Sequence, residues 1–180
     1  MAFYNNPFFW ALVSMFGLAG ACSAAGTKKV GEHPLIGGCI VLVFVLGRII
    51  LVLPHCVQPR FEIAGLYTLL GLIIFVTGLV FMLPAFVIKP FNVARGDMEL
   101  KTTGFYRLTR NPIYFGEVLW YLGWAIIHRS VIGISLVPLW WLGLLFLICI
   151  EEESLERELG QNYLEYKKRI RGRIIPGLPI

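Results

Sequence analysis

The sequence predicts an all-α membrane protein, a polytopic bundle of about five transmembrane helices with a C-terminal cytoplasmic helix and tail. Three observations predict it. Only 15% of the 180 residues are charged and 57% are hydrophobic, whereas soluble domains carry about 25% charged residues. Apolar runs of near-membrane length recur at about 8–26, 35–54, 63–88, 112–128 and 131–150. The basic residues, finally, gather in alternate connecting segments. With the tail inside, the cytoplasmic segments hold Lys28, Lys29, Lys89, Arg95, Lys101, Arg107, Arg110, Arg157, Lys167, Lys168, Arg169, Arg171 and Arg173. Only Arg60 and Arg129 fall outside, and Arg48 lies within a helix. The positive-inside rule then puts the N-terminus outside and the C-terminus in the cytoplasm. The net charge of +5 is thereby a topology signal, and no nucleic-acid partner is indicated.

The first run has no Lys or Arg before it, so it is expected to be a retained helix and not a cleaved leader, despite the small residues of "ACSAAG". The second carries Arg48. The third is long enough to tilt or kink, with Pro84 as the expected kink. The fourth and fifth are separated only by His128, Arg129 and Ser130, which predicts a tight helical hairpin. No internal repeat is visible, which argues against a duplicated transporter. Cys22, Cys39, Cys56 and Cys149 lack metal-ligand spacing and read as small hydrophobes; His55–Cys56 is merely an adjacent pair. The chain divides into N-terminal transmembrane helices at 1–99 and a core at 100–180 that carries the chemistry.

That core begins with a basic loop, Lys101 to Arg110, whose Tyr106 suits an interfacial anchor. Asn111 followed by Pro112 is a well-formed helix start, with Asn expected to cap the free amides and Pro suited to the first helical position. Within the helix, Tyr114, Glu117, Tyr121, Trp124 and His128 recur at helical spacing along one face. Ionisable groups inside a membrane face protein or a wet cavity, and they are functional candidates by default. The readings of Glu117 stay open: a catalytic carboxylate, or a structural one, paired with Arg48 or hydrogen-bonded to a neighbouring helix. Tyr121 and Trp124, further along the stripe, are candidates for contact with substrate.

The fifth run stops against Glu151, Glu152 and Glu153. Acids are misplaced at a helix C-terminus, so the helix is expected to continue to Gly160, with Glu153 and Arg157 as an i,i+4 pair. Glu151 and Glu152 then lie at the level of Arg110, Asn111 and Tyr114. Arg110 and the helix N-terminus suit an anion. The glutamates suit an ammonium or ribose hydroxyls, and the aromatic faces suit a cation or a base. S-adenosylmethionine offers all of these groups, and a lipid zwitterion shares several.

The run Gly104-Phe-Tyr106-Arg-Leu-Thr-Arg110-Asn111-Pro112-Ile-Tyr114-Phe-Gly116 resembles the G-x-Y-x-x-x-R-H-P-x-Y-x-G signature of integral membrane methyltransferases. That superfamily includes isoprenylcysteine carboxyl methyltransferases and phospholipid N-methyltransferases. Glu151-Glu152, Leu155, Gly160, Tyr163, Tyr166 and Pro176 resemble its second signature. The resemblance spans about 100–177. It implies S-adenosylmethionine held by Tyr106, Arg110, Asn111, Tyr114, Gly116, Glu151 and Glu152, on the cytoplasmic side and without a metal. The acceptor, a phospholipid amine or an isoprenylcysteine carboxylate, would enter laterally from the bilayer. Asn111 stands where the prenylcysteine enzymes typically have His, and Asn-Pro-x-Tyr-x-Gly is more similar to phosphatidylethanolamine N-methyltransferases.

Arg110, Asn111 and Glu117 are the expected catalytic residues. An amine acceptor must lose a proton before attack, and Glu117 would favour an amine because it would repel a carboxylate. The competing readings are a small membrane transport or channel subunit using the stripe as a pathway, and a non-catalytic membrane scaffold.

Overall fold

The structure, a computed structural model, describes residues 2–26, 34–62, 65–88, 100 and 102–178. Lys28, Lys29, Lys89, Arg95 and Lys101, on which part of the charge asymmetry rests, lie outside the described residues. A 3₁₀ turn at Phe3–Asn5 leads into α1 (Pro7–Gly26), α2 (Pro34–Val52) and α3 (Leu66–Ile88). A second 3₁₀ turn, Gly104–Arg107, precedes α4 (Pro112–Ile127), α5 (Val131–Ser135), α6 (Val137–Leu159) and α7 (Gln161–Arg169). Among the described residues there is no strand, only one isolated bridge between Arg60 and Ser130.

Four helical stretches are long and apolar enough to cross a membrane: Pro7–Ala25, Leu35–Val52, Leu66–Leu83 and Val131–Leu159. The fourth run of the expected five is different. At 16 residues, α4 is about 24 Å long, short of the roughly 30 Å hydrocarbon core. The fifth run breaks at Leu136 into α5 and α6, where Pro138 sits in the first turn of α6. α3 runs as one helix through Pro84, the expected kink, to Ile88. α6 continues past the acidic residues to Leu159 and stops at Gly160, whose φ of 52° is the left-handed conformation glycine adopts freely.

Small residues set the two closest crossings. On α3 and α4, a methyl at Gly78 would lie 2.2 Å from the Trp120 amide nitrogen, and one at Gly116 would lie 2.5 Å from the Gly78 carbonyl. The backbones therefore touch, as helices in lipid do when dispersion and not water drives their association. α1 and α2 cross in the same way at Gly17 and Gly47, and Ser14 Oγ donates to the Phe44 carbonyl at 2.8 Å. The core lies between α1, α2, α4 and α6, around Phe44, Leu51, Trp120, Tyr121, Ala125, Trp140 and Leu144. Outward-facing Phe16, Leu42, Leu70, Ile73, Val80 and Phe146 are exposed, which suits a lipid surround.

The two ends of the bundle are tied differently. At one end Val57 N–H donates to the Asn5 carbonyl at 2.9 Å, and Phe61 N–H donates to the Arg129 carbonyl at 3.1 Å. Arg60 there donates to the carbonyls of Val52 (3.3 Å), Leu53 (2.9 Å) and His128. One guanidinium thus neutralises the C-terminal ends of both α2 and α4. Arg129, with φ of 57°, makes the tight hairpin turn. The opposite end gathers the 102–111 loop, the end of α6 and the C-terminal segment. The N-terminal and C-terminal segments therefore lie at opposite ends of the bundle.

Candidate active site

The polar end is built on the turn Thr109-Arg110-Asn111. The turn sits at the start of an apolar helix too short to span a hydrocarbon core by itself, and the polar groups of such a turn need protein partners. The C-terminal segment supplies them by folding back over the turn. Thr109, fully buried, donates from Oγ1 to the carbonyls of Arg173 (2.9 Å) and Gly172 (3.3 Å). Arg110 N–H donates to the Gly172 carbonyl at 2.9 Å, and Arg110 Nη1 donates to the carbonyls of Ile170 (2.8 Å) and Arg171 (3.1 Å).

On its other side the Arg110 guanidinium meets Glu152, with Nε 2.8 Å from Oε1 and Nη2 3.4 Å from Oε2. Both residues are buried. Glu152 also accepts from Asn111 Nδ2 at 3.3 Å and from Arg173 Nε at 3.1 Å, and it forms an ion pair with Arg173. One carboxylate therefore holds the helix start, the loop arginine and the C-terminal segment together. Glu151, one position earlier and partly exposed, accepts from the Tyr114 hydroxyl at 2.7 Å.

Asn111 occupies the position before α4, but its side chain does not cap the helix. Its Nδ2 donates to Glu152 and, at 3.0 Å, to the Arg173 carbonyl. The stronger electrostatic partner wins the amide. Likewise Arg157 donates to the Glu153 main-chain carbonyl at 3.3 Å, and not to the carboxylate expected from the i,i+4 spacing.

α7 closes the floor. Tyr163 and Tyr166 are buried, and Tyr166 donates its hydroxyl to the Tyr106 carbonyl at 2.8 Å. Burial pushes both phenols above their ordinary value, so they stay neutral donors through the physiological range.

The expected site residues thus divide. Arg110, Asn111, Tyr114, Glu151 and Glu152 come together at one end, and Tyr106 joins them through its backbone. Gly116 faces Gly78 and Met82 on α3 and serves the helix crossing. Glu117 accepts from Arg48 Nη2, in the partner arrangement the sequence left open, and from Trp120 Nε1 at 2.6 Å. Tyr121 is buried beside Arg48, and Trp124 donates from Nε1 to the Ile49 carbonyl at 3.3 Å. Glu117, Tyr121 and Trp124 of the stripe therefore pack against α2, while Tyr114 turns to Glu151 on α6. Sequence reasoning missed Trp120, although it lies three residues from Glu117 on the same helix. It also counted Arg173 only as a topology charge and passed over Thr109, for which no local signal exists. All four cysteines are free thiols, and among the described residues no cluster of His, Cys, Asp and Glu could hold a metal.

A helical bundle with four stretches long and apolar enough to cross a membrane, and a cluster of charged groups at one end, defines an integral membrane protein. The family model for phospholipid methyltransferases matches residues 66–162, more than half of the chain, and this chain belongs to that family. It is 32% identical to rat phosphatidylethanolamine N-methyltransferase, an alignment covering 74% of this chain and 72% of the relative. The mouse phosphatidylethanolamine N-methyltransferase is 31% identical with the same coverage. No solved structure matches. The protein is an integral membrane methyltransferase, and the reading as a transport subunit is not favoured.

Proposed function

We propose that this protein transfers methyl groups from S-adenosylmethionine to the amine of a phosphatidylethanolamine-type headgroup, at the cytoplasmic end of the bundle. The observation that carries the reading is the convergence of Arg110, Asn111 and Tyr114 on Glu151 and Glu152 across a single hairpin. The names of the rat and mouse relatives support the amine over the prenylcysteine carboxylate. The asymmetry of basic residues supports the cytoplasmic placement.

The donor set fits the proposed cofactor. Partly exposed carboxylate and guanidinium groups, with an amide between them, match an ammonium, a carboxylate and hydroxyls. When bound, S-adenosylmethionine supplies an electrophilic methyl group on a sulfonium. The protein's part is alignment and exclusion of water. Arg110 and Glu152 fix the loop against α6. Tyr114 orients Glu151, whose partly exposed carboxylate attracts the acceptor ammonium and takes its proton, so that the free amine attacks.

Glu117 has both oxygens engaged by Arg48 and Trp120. We assign it the clamping of α4 to α2, because freeing it as a base would break a buried ion pair. Residues 100–180 form the cofactor-binding core in this reading, with α3 buttressing α4 from the N-terminal part.

The test is reconstitution. Purified protein in phosphatidylethanolamine vesicles, given methyl-labelled S-adenosylmethionine, should yield mono-, di- or trimethylated headgroups by mass spectrometry. Label appearing only on added prenylcysteine, or in no lipid at all, would reject the reading.

A further inference from the structure

The loop arginine is the obvious anion receptor by sequence, yet its donors are already committed. Of the five N–H groups of a guanidinium, Arg110 uses four: Nε and one Nη2 proton on Glu152, and both Nη1 protons on the carbonyls of Ile170 and Arg171. The side chain is only 5% exposed.

Arg173 reaches the same carboxylate from the open side. Its Nε and Nη2 meet Glu152 Oε2, each at 3.1 Å, and Nη1 makes one weak contact, 3.6 Å to Cys149 Sγ. The terminal edge of the guanidinium, between Nη1 and Nη2, keeps donors beyond these contacts, and 26% of the side chain is exposed. Such an edge with a full charge matches a carboxylate or phosphate in bidentate geometry.

Glu152, buried and bonded to Arg110, holds Arg173 by its Nε side and leaves the terminal edge as the part available to a ligand. The backbone is fixed as well, since the Arg173 carbonyl accepts from Thr109 and Asn111, and Arg173 N–H donates to the Leu178 carbonyl at 3.0 Å. Arg173 also lies beyond the stretch matched by the family comparison, which ends at 162.

We infer that Arg173 is the oxyanion receptor of the active site, with Arg110 as the internal brace that positions it through Glu152. The oxyanion is either the carboxylate of the methyl donor or the phosphate of the acceptor lipid, and the chemistry at Arg173 is the same for both. The inference rests on the methyltransferase reading above and deepens it.

Titration calorimetry on the full-length protein in detergent, together with lipid kinetics in mixed micelles, separates the cases. The probes are S-adenosylhomocysteine, 5′-methylthioadenosine (which lacks the amino-acid carboxylate) and phosphatidylethanolamine. If the donor carboxylate binds there, Arg173→Gln weakens S-adenosylhomocysteine by about tenfold or more and leaves 5′-methylthioadenosine unchanged. If the lipid phosphate binds there, KM for phosphatidylethanolamine rises by about tenfold and both nucleoside affinities hold. Arg173→Lys recovers part of either loss, because it keeps charge without the fork.

Wild-type constants in a folded Arg173→Gln protein overturn the inference. So does equal weakening of both nucleosides, which marks collapse of the C-terminal segment. Wild-type protein that binds no S-adenosylhomocysteine and methylates no lipid rejects the functional reading itself, and this inference with it. That outcome is distinguishable because it appears without any substitution.

Discussion

Among the described residues two Arg–Glu pairs are buried on both sides, and they have opposite surroundings. Arg48 and Glu117 meet between α2 and α4 with aromatic walls. The Arg48 guanidinium carbon lies 3.7 Å from the Phe44 ring centroid, 5.1 Å from that of Trp120 and 5.3 Å from that of Tyr121. Arg110 and Glu152 meet at one end of the bundle among backbone carbonyls, an amide and a second, partly exposed arginine. Among the described residues the first pair has no second charged partner to exchange with, only the Trp120 indole and the Phe44 carbonyl. Indeed Arg48 Nη1, Tyr121 Oη and Trp140 Nε1 close by have no hydrogen-bond partner. The second is surrounded by groups that can trade one charged partner for another. In the proposed reading, identical ion-pair chemistry makes a clamp in one place and the basis of a binding site in the other. The walls decide which.

The largest effect should come from breaking the clamp. Glu117→Gln or Arg48→Gln leaves one buried charge uncompensated, a cost of about 3–5 kcal/mol. Thermal unfolding in detergent should fall sharply for each single variant. Arg48→Met with Glu117→Leu should recover much of the loss, since apolar replacement of a buried pair also removes the unsatisfied guanidinium nitrogen. A Glu117→Gln protein of normal stability whose turnover collapses would instead make Glu117 the proton acceptor.

Glu152→Gln is the sharper test at the other pair. It leaves Arg110 and Arg173 facing each other without the carboxylate. The loss should appear chiefly in the ligand whose oxyanion Arg173 receives, as weaker S-adenosylhomocysteine binding by calorimetry or a higher KM for phosphatidylethanolamine, by about 1.5–3 kcal/mol for hydrogen bonds to a charged group. Stability losing more than affinity would make this pair a clamp like the other.

The smallest effect concerns how α7 holds the Arg110–Glu152 pair in place. Tyr166→Phe removes one hydrogen bond to the Tyr106 carbonyl, worth about 0.5–1.5 kcal/mol. Burial raises the phenol above its ordinary 10.0, so the unfolded chain ionises first. The contribution is whole below pH 10.0 and declines as pH rises through the folded value. Thermal scans from pH 8 upward should show the wild type losing its advantage over Tyr166→Phe only in the alkaline range. A constant difference across that range would remove the coupling.

Much of this was legible in the chain. The apolar runs, the break at 128–130, the extension of α6 to Gly160 and the level of the Glu pair are local or nearly local consequences of hydrophobicity and capping. Arg110, Asn111, Tyr114, Glu151 and Glu152 could be placed together because one short hairpin fixes their separation. The uses of these residues were not legible. Asn111 carries every local mark of a helix cap, yet a carboxylate 41 positions away takes its amide. Gly116 sits inside a binding signature and serves a crossing with Gly78.

By itself, then, the sequence determined a helical membrane protein, its hairpin and the set of polar residues at its boundary. Length, apolar content and the price of an unpaired backbone in lipid leave a chain little else to do. Only tertiary structure decided which charge answers which. Glu117 had Arg48 as a candidate among several, and the approach of α2 to α4 settled it. Arg173 looked like one basic residue among thirteen until the C-terminal segment folded back onto Thr109 and Asn111. Pairings across 21 to 69 positions depend on where helices cross, and crossings are set by packing that no local pattern records.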